Sequence, residues 1–141
     1  MNIQYITTYN HQFHVNLPTL KLKQLQHESE TWMRLLDFMM SENIHLKNRL
    51  SEILKEQFDE KLLSGVEDFQ NTFLKEDQLI ELLRNEVAEL NELFSNTLPG
   101  TGAIENEIDA KLIKLRDIMI TTEREFGKIK LQFNSYISQN I

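Results

Sequence analysis

One stretch of the chain, residues 62–94, constrains the fold more than any other. Its apolar residues recur in alternating steps of four and three for more than four heptads, and only Glu76 interrupts them. A repeat of about 3.5 residues keeps one apolar stripe on a helix. Such a stripe needs covering, so this stretch predicts the middle helix of an antiparallel bundle. Leu79, Leu82 and Leu93 lie beside the stripe and widen it. The stripe itself consists of Leu62, Val66, Phe69, Phe73, Glu76, Ile80, Leu83, Val87, Leu90 and Phe94.

A first helix is predicted before this stretch, over residues 19–56. Pro18 is well suited to a first helical turn, because a nitrogen there has no partner within the helix. The turn that follows has two candidate positions, residues 57–59 and Ser64-Gly65. We favour the first, because Asp59 can cap the next helix. Gly65 would then lie inside that helix, at a tolerable cost of about 1 kcal/mol relative to alanine.

A second turn, at residues 98–102, contains Pro99, Gly100 and Gly102 and ends the middle helix, predicted over 59–97. The third helix is predicted over 103–139. Three helices of similar length joined by short turns favour an up-down-up arrangement. The sequence therefore predicts an all-α fold, a long, antiparallel, coiled-coil-like three-helix bundle over residues 19–141. The predicted seam of the first helix is Leu22, Leu25, Ser29, Trp32, Leu36, Met39, Asn43, Leu46, Leu50 and Ile53, and that of the third is Ile108, Leu112, Leu115, Met119, Thr122, Phe126, Ile129, Phe133 and Tyr136.

Residues 1–18 follow a different pattern and predict an extended N-terminal arm. From residue 2 to residue 17, aromatic and aliphatic residues mostly alternate with polar ones, which is typical of a strand. A single strand leaves its backbone groups unpaired. The arm can fold on itself near Tyr9-Asn10, lie in a groove of the bundle, pair with a second copy, or stay mobile.

Composition narrows the function classes. The chain has no cysteine, no recognisable signal peptide and no long apolar run, so we expect a soluble cytoplasmic protein that does not enter a membrane. Its net charge of −7 resides wholly in residues 59–97, which hold ten acidic and three basic residues. This distribution disfavours binding to nucleic acid or to an anionic membrane. It is interpreted either as a solvated face or as a docking surface for a basic partner.

The best candidate for a chemical site is a mixed polar and apolar stripe on the first helix. Glu42 and His45 have the E-x-x-H spacing of di-iron bundles, and Glu28 lies on the same side. Di-iron centres need a second E-x-x-H, which the sequence lacks. The sequence also lacks a glycine-rich phosphate loop and a nucleophile elbow. We therefore expect no enzyme and no cofactor, and we expect Arg49 or a lysine of the third helix beside Glu28 and Glu42.

Residues 25–50 and 66–73 resemble a set of small bacterial helical proteins with no known activity. Their first helix carries the pattern E-x-x-x-W-x-x-x-L-x-F-x-x-x-E with N-R-L downstream. Where this chain has Ser29, those proteins tend to have a histidine, so any site that depends on that imidazole is missing. The resemblance implies a helical bundle and a turn before Asp59. The matching residues are Glu28, Trp32, Leu36, Phe38, Glu42, Asn48, Arg49 and Leu50, followed by Val66, Glu67, Phe69, Gln70 and Asn71.

These observations favour a non-enzymatic interaction or scaffold protein that self-associates, as a homodimer, and that can also bind an unidentified protein partner. Ile113, Ile120 and Leu131 lie off the seam of the third helix and, at about 100° per residue, along one line. We call them the α3 row. The alternative for the surface is that the arm of the same chain covers the row. The alternative for the function is a small metal- or ligand-binding bundle that uses Glu28, Glu42 and His45.

Overall fold

The computed structural model describes residues 16–56, 59–96 and 102–141 of the chain. It contains three long helices, α1 (Asn16–Glu56), α2 (Glu60–Asn96) and α3 (Gly102–Asn140). No strand occurs in these residues, so the predicted all-α three-helix bundle is confirmed. The pattern predicted to form an extended arm lies outside the described residues, except at its C-terminal end.

The helix bounds lie close to the predicted ones, and the largest difference is at the start of α1. That helix begins at Asn16, so residues 16–18 are helical and do not belong to an extended arm. A proline in the first turn allows this, because its missing N–H has no partner within the helix. No helix of the described residues is long and apolar enough to cross a membrane.

Helix α1 ends at Glu56 and α2 begins at Glu60, so the boundary between the two helices lies at the favoured position. The Oδ1 atom of Asp59 accepts a hydrogen bond from the backbone N–H of Lys61 at 3.0 Å, and the Asp59 carbonyl accepts one from the N–H of Leu63 at 2.9 Å. Asp59 therefore caps α2. Gly65 lies inside the helix, where Tyr136 of α3 packs against it.

Contacts between α1 and α2 show that the two helices are antiparallel. Asn43 of α1 donates hydrogen bonds to the Phe73 carbonyl at 2.9 Å and to Asp77 at 2.6 Å, whereas Ser29 of α1 donates to Asn91 at 2.7 Å. Earlier residues of α1 thus meet later residues of α2. Ser29 and Asn43 are fully buried, as polar positions on the seam should be, and their hydrogen bonds favour this register over others.

Helix α3 runs parallel to α1 and antiparallel to α2. Two α1 carboxylates, Glu28 and Glu42, pair with basic side chains in the same order along α3. On the other side, Tyr136 near the end of α3 donates a hydrogen bond to the carbonyl of Leu62 near the start of α2, at 3.2 Å. The predicted up-down-up arrangement is therefore present.

The core consists of the three predicted seams. Trp32 and Phe73 are buried, as predicted, and Phe73 packs edge to face on Phe133 with ring centroids 5.1 Å apart. Every predicted seam residue is buried or half-buried, including Glu76, and Ile137 is a buried residue of α3 that the prediction did not include. The backbones of α1 and α2 approach each other closely over a longer stretch than either approaches α3. Grooves are therefore expected beside α3.

Candidate functional site

The polar stripe of α1 is neutralised by α3. Arg116 donates from Nε to Oε1 of Glu28 at 2.5 Å and from Nη2 to Oε2 at 2.8 Å, a bidentate pair, and this hydrogen bonding raises the pKa of Arg116. Lys130 lies 3.5 Å from Glu42. The prediction that both carboxylates have a basic partner is confirmed, although the partner of Glu28 is an arginine of α3.

This pairing leaves the stripe without the features of a metal centre. The His45 side chain is exposed, whereas Glu28 and Glu42 are half-buried beside their basic partners. Among the described residues, no group of three or more histidine, aspartate or glutamate side chains is arranged to hold a metal ion. What the stripe does chemically is to tie α1 to α3 through two ion pairs.

The α3 row is exposed to solvent. The exposed fractions of Ile113, Ile120 and Leu131 are 55%, 61% and 69%. Leu131 also borders a shallow depression formed with Phe69 and Tyr136, on the side of α3 that faces α2. The row is therefore an accessible apolar line, and its role as a contact surface stays a prediction.

A groove between α2 and α3 is lined mainly by apolar side chains, and it has a cavity volume of about 480 Å³. Its walls are Leu82 and Ile118, with exposed fractions of 56% and 42%. Neither side chain belongs to a seam, and the described residues leave about half of each one exposed. The floor of the groove is formed by Leu79, Leu83, Leu90 and Leu115.

The two rims of this groove carry opposite charges. Glu86 and Glu89 of α2 line one rim, and Lys111 and Lys114 of α3 line the other. All four side chains are exposed. Of the four, only Lys111 has an ion pair with another described residue, an exposed contact with Glu107 at 3.7 Å. The groove thus combines an apolar floor with one acidic and one basic edge, an arrangement that suits recognition of another protein surface.

The α2–α3 groove was only partly predictable from the sequence. Leu79 and Leu82 are recognisable as residues that widen the stripe of α2, but the seam pattern alone does not identify Ile118, Lys111 and Lys114. The signal that could have found them is their position beside the third seam, on the side that faces α2. A seam pattern does not say how closely two helices approach. It therefore cannot tell whether the side chains beside the seam are packed together or leave an open groove.

Beyond the groove, Glu76 is the acidic residue that interrupts the stripe of α2. Burial raises the pKa of its carboxyl group, and the nearby carboxylate of Glu125 raises it further. Its Oε2 atom is buried and has no hydrogen-bond partner among the described residues. The side chain therefore opposes folding when it is ionised, because a buried charge without a partner is costly.

Comparisons with known proteins add no assignment to this geometry: neither a protein-family model, nor a curated protein, nor a solved structure matches the chain.

Proposed function

We propose that this chain is a non-enzymatic helical-bundle protein that acts as an interaction or scaffold protein and self-associates as a homodimer. The observation that carries the proposal is the apolar surface that α3 exposes. Ile113, Ile118, Ile120 and Leu131 are all more than two-fifths exposed. Isolated apolar residues are common on protein surfaces, but residues aligned along one line, as in the α3 row, suggest a contact surface.

Two surfaces of α3 can carry the contact, the α3 row and the α2–α3 groove. Ile118, in the wall of the groove, follows Ile113 by five residues, which places the two about 140° apart around the helix. A two-fold contact through Ile113 and Ile120 would therefore leave the groove free for a different protein. This separation supports a scaffold role, because one bundle can then hold two partners at once.

Light scattering after size exclusion tests self-association directly. We expect a concentration-dependent dimer between about 10 and 100 µM, since contacts of limited area commonly have affinities in the micromolar range. A parent protein that stays monomeric over this range would contradict the proposal.

A substitution in the α3 row tests whether the row is part of the contact. Ile120→Lys places a charge on the row, whereas the control Gln78→Lys places the same charge on the exposed outer side of α2. If the row is the interface, Ile120→Lys alone lowers the dimer fraction. If both variants dimerise like the parent, the row is not the self-association surface.

A further inference from the structure

We infer that a second copy of this chain docks on the α2–α3 groove, and that the two-fold axis of the dimer runs along the groove. The inference rests on the proposed self-association and identifies its surface. It follows from three features of the groove, namely its apolar walls, the levels of its residues along the bundle, and the opposite charges of its rims.

The walls give the contact its apolar part. Leu82 and Ile118 project on either side of a leucine-lined floor and are about half exposed. A second copy placed over the groove would cover both walls, and by symmetry its own walls as well. Burial of such apolar side chains is the main favourable term in most protein association.

The register of α2 and α3 places residues of the two helices side by side at the same height along the bundle axis, which we call their level. The helices are antiparallel, and their register is fixed at one end by the ring contact of Phe69 with Phe133 and by the hydrogen bond of Tyr136 to Leu62. Counting from these contacts at about 1.5 Å per residue gives the levels in the groove. Within about 3 Å, Leu82 is level with Ile118, Glu86 with Lys114, and Glu89 with Lys111.

The charges of the rims decide between the two possible directions of the axis. If the axis crossed the groove at right angles, α2 would lie on α2 of the partner, with glutamates facing glutamates and lysines facing lysines. If the axis runs along the groove, α2 lies on the partner's α3 and every level is preserved. Glu86 then faces the second copy's Lys114, and Glu89 faces its Lys111. Like charges across an interface are unfavourable, so the axis runs along the groove.

The size of the groove sets the expected strength. From Leu79 to Leu90 its floor spans twelve residues of α2, or about 16 Å. Such a contact falls at the lower end of specific interfaces, below about 1,200 Å² in total. We therefore expect a reversible dimer with a dissociation constant on the order of 10 µM, which assays at tens of micromolar can resolve.

Charge exchange on the rims tests the contact. Glu86→Lys/Glu89→Lys makes both rims basic, and Lys111→Glu/Lys114→Glu makes both rims acidic. Each variant alone should dimerise at least about tenfold more weakly than the parent, because equal charges then face each other. An equimolar mixture of the two should dimerise like the parent, because every basic rim then faces an acidic one. Recovery in the mixture also shows that both variants are folded.

A third variant, in which all four rim charges are exchanged, tests the direction of the axis. With the axis along the groove, this variant dimerises with itself but not with the parent. With the axis across the groove, it would form mixed dimers with the parent in preference to either homodimer. Native mass spectrometry with an isotope-labelled parent counts the two kinds of dimer, and a predominance of mixed dimers would overturn the inferred axis.

The outcomes separate this inference from the proposed function. If the parent dimerises and both rim variants dimerise equally well on their own, the groove is not the interface and self-association stands. If Ile120→Lys then disrupts the dimer, the α3 row is the interface. If the parent is monomeric at 100 µM, both proposals are wrong, and the groove is left to residues 1–15 of the same chain or to a different protein.

Discussion

Replacement of Gly65 by alanine tests how closely α3 packs on α2. A Cβ atom added to Gly65 would collide with Oη and Cζ of Tyr136 and would lie 2.9 Å from its Cε2. The Tyr136 ring is held there by a hydrogen bond to the Leu62 carbonyl at 3.2 Å and by the ring of Phe69, whose centroid is 5.4 Å away. The tyrosine must therefore leave this position if the alanine is to fit.

The expected cost follows from what Tyr136 loses. A hydrogen bond contributes about 1 kcal/mol to stability, and an aromatic pair contributes about 0.5–1.5 kcal/mol. Alanine in place of glycine inside a helix returns about 1 kcal/mol. Because part of the ring also loses its burial, we expect Gly65→Ala to lower the free energy of unfolding by about 1–2 kcal/mol.

Gly127 of α3 offers the matched control, because a Cβ atom added there meets no atom within 4 Å. Gly127→Ala should raise the free energy of unfolding by about 1 kcal/mol, as helix propensity alone predicts. Urea denaturation followed by circular dichroism measures both variants, and a Tyr136→Ala background should turn Gly65→Ala into a stabilising change. If Gly65→Ala stabilises the parent as much as Gly127→Ala does, Tyr136 does not pack on Gly65 as described.

Two further predictions concern the core. Phe73→Ala should lower the free energy of unfolding by about 3–5 kcal/mol, because Phe73 is fully buried. The control Phe38→Ala, at an exposed position, should change it by less than about 0.5 kcal/mol. A thermal melt of Phe73→Ala equal to that of the parent would contradict the seam assignment. Glu76→Gln should be about 1 kcal/mol more stable than the parent at pH 7, because the parent must keep an ionised carboxylate half-buried. The pKa of Glu76 is raised in the folded state, so the folded protein binds this proton more tightly than the unfolded chain does. The penalty therefore disappears as pH falls through the raised pKa. Urea denaturation should show that the difference in free energy of unfolding between Glu76→Gln and the parent is smaller at pH 5 than at pH 7. A difference that does not depend on pH would rule out titration of Glu76 as its cause.

The fold was predictable because helix periodicity is a local property of the sequence. The seam positions through Leu36, Phe73 and Leu112 are fully buried, since a repeat of about 3.5 residues specifies which side of each helix must be covered. The boundary at Asp59 was predictable for a similar reason, because capping depends on a few adjacent residues. Both inferences need no knowledge of which other residues lie nearby.

The features that depend on contacts between helices were predicted incompletely. Glu28 and Glu42 were expected to have basic partners, but a choice between Arg116 and the lysines of α3 requires the register of α1 and α3 to be known. The sequence alone presents Gly65 only as a cost to helix stability, because its contact with Tyr136 depends on how closely α2 and α3 approach. A pattern within one helix carries neither kind of information.

The acidic excess of α2 shows how contacts between helices change the interpretation of a local pattern. The sequence allowed either a solvated acidic face or a docking surface for a basic partner. Asp77 is half-buried and forms an ion pair with Lys47 of α1, at 2.5 Å, so it belongs to neither kind of surface. Glu86 and Glu89 instead line a groove whose opposite rim is basic. Because the chain carries both signs on this one surface, the inferred dimer would pair the acidic rim of each copy with the basic rim of the other.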